Sequence, residues 1–343
     1  MRWIAVLVLP LLVVLPDQGH AQKYKFKYFV EIPPQYYTNP AYHHHYRPSP
    51  LPTNARELME AFQQPKGRRV QIELAPVYGS SSISSNGSDG SRRSVTESKT
   101  LSIAARYGWN DSLSVRFATD YGWWEKSGAS LGKPDESASA SGLSDLHFGL
   151  GANYPLSIKS KLLYGFDISL SPSKRREGGK TKDGNVVDGN RFSGGHGFSP
   201  YIGWQYKMAR NWLFGSRADL KILQDKRVLA PDKEGELKES GKTALALAAI
   251  IEKASADYGT FGGELRHEWN EPYSITDEEG RTEYRDSENL LSTTLYWAKS
   301  LKNDLTIKPS FTYSTVPDRS RIAGYKYDQY DVMAFQVLIR MDL

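Results

Sequence analysis

From Val70 to Leu343 the chain alternates apolar and polar side chains, in segments of about ten residues. Leu113, Val115, Phe117, Thr119, Tyr121 and Trp123 share one parity, and Ser114, Arg116, Ala118, Asp120 and Gly122 share the other. Leu146, Phe148, Leu150, Ala152 and Tyr154 oppose Asp145, His147, Gly149, Gly151 and Asn153. Near the end, Met333, Phe335, Val337, Ile339, Met341 and Leu343 oppose Gln336, Arg340 and Asp342. A period of two puts neighbours on opposite faces of a strand. The pattern predicts twelve strands, at 70–78, 100–109, 112–123, 143–154, 161–171, 198–208, 212–222, 243–253, 258–269, 290–299, 305–315 and 330–343. The fold class is all-β.

The links between these strands alternate in length. Short turns fall at 110–111, 155–160, 209–211, 255–257 and 300–304, and long polar loops at 79–99, 124–142, 172–197, 223–242, 270–289 and 316–329. A soluble sandwich or a lipocalin-like barrel would also alternate in parity. Two features favour a membrane wall instead. The strands approach the ~9–11 residues that a tilted membrane strand needs, and short turns on one side with long loops on the other mark transmembrane barrels. An even strand count puts both ends on the short-turn, periplasmic side. The expectation is an antiparallel up-and-down β-barrel in the outer membrane of a Gram-negative bacterium, with lipid outside and barrel-assembly machinery as a partner during insertion.

Composition agrees. Aromatics make up 12%, with Tyr 21 and Trp 8. Trp109, Tyr154, Tyr206, Trp212 and Trp297 gather at short-turn ends; Tyr78, Tyr121, Trp123, Trp269 and Tyr313 gather at long-loop ends. Two interfacial belts would look like this. Beyond the N-terminus no stretch approaches the ~18 continuous apolar residues of a helical span. There are no cysteines, which removes thiol catalysis and thiolate metal sites. A net charge of +5 without a dense basic stripe gives nucleic-acid binding little support. The closing strand resembles the assembly signal of outer-membrane barrels, though it ends in Leu343 rather than an aromatic residue.

Residues 1–21 read as a signal peptide. Arg2 supplies the positive start, Ile4 to Leu15 the apolar core, and Gly19-His20-Ala21 the small-residue cleavage site. An uncleaved anchor is the alternative, but Pro10 interrupts an already short run. Residues 22–66 then form a Tyr/His/Pro-rich leader before the barrel at 67–343. Asn54 could cap a short helix over 55–63 whose apolar face is Leu58, Ala61 and Phe62. The leader reads as a periplasmic tail, a plug folded into the lumen, or a docking strip for a periplasmic partner. His43, His44 and His45 are weak metal candidates, because three adjacent imidazoles on an extended chain cannot meet at one ion without a sharp bend. No cofactor motif is present.

Parity assigns the inner face. Its charges are Glu73, Arg106, Arg116, Asp120, Asp145, Asp167, Lys207, Arg217, Asp219, Lys221, Glu252, Glu264, Arg266, Glu268, Lys308, Arg340 and Asp342, nine acids against eight bases, and His147 shares that face. Charges buried without water or partners would be very costly, so the lumen is wet, densely ion-paired, or both. Balanced signs predict weak ion selectivity. Arg217 and Lys221 flank Asp219, with Lys207 on the next strand, and could attract an anionic group. Inner glycines at 149, 151, 165, 203, 215 and 262 make room for a conduit or a plug, or permit curvature.

An enzyme reading finds little. A barrel lipase needs a Ser nucleophile and a His base on the lipid-facing wall, and no His-x-Ser pair occurs. His267 has outward parity, but its same-face neighbours are Leu265 and Trp269; His196 lies in a loop. Asp277, Glu278 and Glu279 sit in an outer loop, where a solvated acidic run is ordinary.

The run from Gly142 to Tyr154, GLSDLHFGLGANY, resembles a strand of the meta-pathway phenol-degradation family of outer-membrane proteins. Ser169-Leu170-Ser171-Pro172 resembles the family's next strand and its Pro-containing loop, and Gly197 to Ile222 a later hairpin. Ser144 stands where that family often has Gly, and the leader is a further departure. The likeness spans 70–343 and implies a barrel that takes up aromatic or other small organic compounds; it supplies no catalytic residues. The sequence therefore leads to a passive channel or facilitator for small solutes, with a non-conducting scaffold whose leader docks a partner as the alternative.

Overall fold

The computed structural model describes Met59, Phe62, Gln64, Pro65 and, with short breaks in turns and loops, residues 67–343. These belong to one compact unit, Arg56–Leu343. Residues 1–21, expected to be a signal peptide, most of the expected leader at 22–66 and the three adjacent histidines lie outside the described residues.

Twelve antiparallel strands form the wall. They are β1 Val70–Gly87, β2 Gly90–Asn110, β3 Leu113–Ser130, β4 Leu146–Pro155, β5 Ser160–Leu170, β6 Gly197–Ala209, β7 Trp212–Leu223, β8 Lys242–Ser255, β9 Gly259–Asn270, β10 Glu288–Ser300, β11 Leu305–Thr315 and β12 Tyr325–Asp342. Each pairs with the next along the chain. β12 returns to β1, from Gln71 opposite Asp342 to Asn86 opposite Lys326, and the cylinder closes without a free edge.

Every strand expected from the sequence is present, but the two first long loops are largely strand. β1 and β2 continue as a hairpin to Gly87 opposite Gly90. β3 runs on to Ser130 and pairs there with an additional strand, Lys133–Leu143, before β4 takes its place in the wall from Ala118 downward. Alternation fails to announce these extensions for a physical reason. Beyond the membrane both faces of a hairpin meet water, so Ser, Gly and charged residues occupy both parities while the backbone ladder persists. Among the described residues the later loops carry short pairings, such as Lys226–Leu229 with Glu236–Glu239 and Tyr273–Thr276 with Thr282–Arg285.

The outer face is apolar and uncovered. Leu74, Ile103, Phe117, Leu247, Leu265 and Phe335 project from it, and Leu295 is 60% exposed. Aromatics meet across strands on this face, Phe117 edge-on to Phe148 at 5.1 Å and Phe261 stacked over Trp297 at 6.4 Å. So wide an apolar exterior would be a liability in water and is what a lipid-facing wall requires.

Candidate functional site

The inner face carries three features: charge clusters, a chain segment packed at the short-turn end, and two cavities above that segment.

Around β7 and β9, side chains two residues apart project inward and meet across β8. Arg217 Nη2 lies 2.6 Å from Asp219 Oδ1, and Arg266 Nη1 lies 2.9 Å from Asp219 Oδ2. Arg266 also reaches Glu268 at 3.5 Å, which Lys221 Nζ approaches at 2.8 Å. The strand between them supplies Ala244, Ala246 and Ala248 on the same face, all buried. Those small side chains leave the space in which β7 and β9 charges bridge. Arg217 also lies over the Tyr201 ring, 4.2 Å from its centroid.

Further inner charges lie along the rest of the wall. Glu73 and Arg340 are buried and face each other in register on β1 and β12. Arg106 Nη2 lies 3.2 Å from Glu73, and Arg116 lies 3.8 Å from Asp167. Asp145, also buried, accepts a hydrogen bond from the Ser193 backbone N–H at 3.0 Å. Asp120 is bonded by Ser144, and Lys207 stands opposite Leu213 near the short turns. Glu252 accepts a 2.5 Å hydrogen bond from the Tyr296 hydroxyl, and Lys308 Nζ lies 4.1 Å above that ring.

The packed segment was not assigned by parity. Met59 and Phe62 are buried against Leu163 and Ile250, with Leu213 beside them. The Met59 backbone N–H donates to Gln205 Oε1 at 2.9 Å, Phe62 N–H closes a tight turn on Met59 O at 2.9 Å, and Asn153 Nδ2 donates to Gln64 Oε1 at 3.0 Å. These partners lie on the inner face of β4 to β8 near the short turns. The rest of the helix expected over 55–63 lies outside the described residues. Inner glycines match this cargo. A Cβ at Gly203 would meet Phe62 at 3.4 Å, and one at Gly215 would meet Met59 Sδ at 2.7 Å. Elsewhere Gly151 faces Gln64 and the Tyr201 hydroxyl, and Gly262 lies under the Tyr296 ring. Parity carries no signal for the place of Met59.

Two cavities of about 300 Å³ each open beside Gln336 and Leu338 of β12. The first takes Glu73, Asp120, Arg116 and His147 into its lining. The second takes Arg217, Arg266, Lys308 and Glu264, with Ile250 and Tyr296. Arg116, Arg217 and Arg266 are therefore both ion-paired and adjacent to open space.

On the outer wall, the His267 ring lies tilted against Trp269, with ring centroids 4.0 Å apart, and its cross-strand neighbours are Leu247 and Leu291.

No protein-family model matches the chain, and no curated protein matches it. Among solved structures, an outer-membrane channel from Pseudomonas putida F1 is similar over 82% of this chain and 100% of its own, at 10% identity and a TM-score of 0.58. A TodX mutant, a monoaromatic hydrocarbon channel, covers 80% of this chain and 90% of its own at 10% identity and a TM-score of 0.48. The translocator domain of the autotransporter NalP from Neisseria meningitidis covers 80% and 89% at 10% identity and a TM-score of 0.47. The first likeness establishes the fold, a closed outer-membrane β-barrel; the other two are too remote to fix anything further.

Proposed function

We propose that this chain is an outer-membrane channel for passive passage of small solutes, organic and aromatic ones included. Residues 1–21 direct its export, barrel-assembly machinery inserts it, and the end of the leader narrows its short-turn mouth. The single observation that supports the reading most is the pair of cavities inside a closed wall whose exterior is apolar. Lumen charges that neutralise one another leave a hydrated path whose energy barrier to small neutral or weakly charged solutes is low. The expected resemblance to the phenol-degradation family belongs to this reading and would make aromatic compounds the natural solutes. No residue is assigned a catalytic step.

A scaffold role is the second reading, favoured by the buried Met59–Phe62 contact, which fills part of the lumen. Planar-bilayer recording separates the two. The full mature chain should give small stepwise currents that grow when residues 22–66 are removed. Silence in both forms would overturn the channel and leave the scaffold.

A further inference from the structure

The lumen is balanced as a whole but not cavity by cavity. The cavity beside β7, β9 and β11 is lined by three cations, Arg217, Arg266 and Lys308, against one acid, Glu264. Asp219 neutralises part of the guanidinium charge and is itself buried beneath it. Lys308 is different. Among the described residues it has no ion-pair partner, and it rests on the Tyr296 ring instead. Glu252, bonded to that tyrosine, and Glu264 in the lining act on Lys308 without pairing with it, so its N–H donors are left for water or a bound anion. The same cavity has an apolar side, where Ile250 and Leu338 lie near the Tyr296 ring. Thr294 and Thr312, also in the lining, bond each other at 2.9 Å and so offer little competition for a ligand.

We infer that this cavity is a binding subsite for a small organic anion, a carboxylate on an aromatic or short apolar body. The carboxylate sits between Lys308 and the free edges of the two guanidiniums. Each guanidinium carries five donors, of which Asp219 and Glu268 use only part. The body lies against Tyr296, Ile250 and Leu338. A volume of about 300 Å³ is at the small end of ligand pockets and suits a single ring. The neighbouring cavity, with Glu73 and Asp120 against Arg116, lacks this excess of positive charge. The assignment deepens the channel reading and rests on it for its physiological sense, but binding is measurable without any current.

The test is calorimetric titration of the full mature chain in detergent with benzoate, benzyl alcohol and benzylamine. Benzoate should bind at least about tenfold more tightly than benzylamine, the factor that one charge-assisted hydrogen bond supplies. Lys308→Gln should remove that preference and Lys308→Arg should restore it. Ser310→Glu, which adds an acid beside the lysine, should abolish benzoate binding and serves if Lys308→Gln fails to fold. Benzoate binding no tighter than benzylamine, or a preference that survives both Lys308→Gln and Ser310→Glu, overturns the subsite. Conductance without benzoate preference leaves the channel and removes the subsite; benzoate preference without conductance does the reverse.

Discussion

Gly215 on β7 and Met59 at the end of the leader occupy one space: a Cβ on the glycine would come within 2.7 Å of the methionine sulfur and 3.0 Å of Phe62. The wall has been emptied where the segment packs. Gly215→Leu should therefore expel Met59 and Phe62 while the outward face of β7 is untouched. We expect a barrel of normal heat-modifiable migration, faster proteolysis ahead of Val70, and a single-channel conductance close to that of a protein lacking residues 22–66. An unchanged conductance together with protected residues ahead of Val70 would show that the segment does not control the opening.

Asp219 holds Arg217 and Arg266 together. Asp219→Asn removes the shared negative charge and leaves two guanidiniums facing the second cavity. The reversal potential in asymmetric KCl should move toward anion preference, starting from the weak selectivity of a balanced lumen. Part of that gain should vanish at high salt, where fixed charges are screened.

Leu295 lies on the outer face of β10, between Gly263 and Phe311 in register. Leu295→Arg should cost about 2–4 kcal/mol if that position meets the hydrocarbon midplane. Urea titration of the barrel in lipid vesicles would read this as a lowered midpoint. A soluble, detergent-free fold would register almost no change, since the site is already 60% exposed.

Outside the membrane, Asp225 accepts hydrogen bonds from Lys238 Nζ and from the Gly241 N–H, each at 2.8 Å. The lysine first, and the backbone donor second, hold its carboxyl below the usual aspartate range. The sign follows from linkage. The charged form is favoured in the folded loop, so the contribution is complete above the ordinary aspartate pKa of about 4 and disappears as pH falls through the lowered value. Both side chains are more than half exposed, so the effect should stay below about 1 kcal/mol. The protection factor of the Gly241 amide, its exchange rate relative to an unstructured chain at the same pH, should fall only in that acid window, and Asp225→Ala should lower it at neutral pH.

Parity depends on one residue and its neighbour, so the alternation from Leu113 to Trp123, or from Met333 to Leu343, was enough to fix strand positions, the outward face and an inner face holding Glu73, Asp219 and Lys308. It failed where the two faces of a strand no longer meet different media. The extensions of β1, β2 and β3 have water on both sides.

Closure of the ring, and which charges pair, required the assembled barrel. Arg266 and Asp219 are 47 residues apart in sequence, and only the register of β7, β8 and β9 brings them together. Met59 carries no periodic signal at all. It acquires a place because Gly203, Gly215, Leu163 and Ile250, from four different strands, form one hollow when the sheet curls. A sequence states which side of the wall each residue takes; the curvature of the closed sheet decides which residues share the space within.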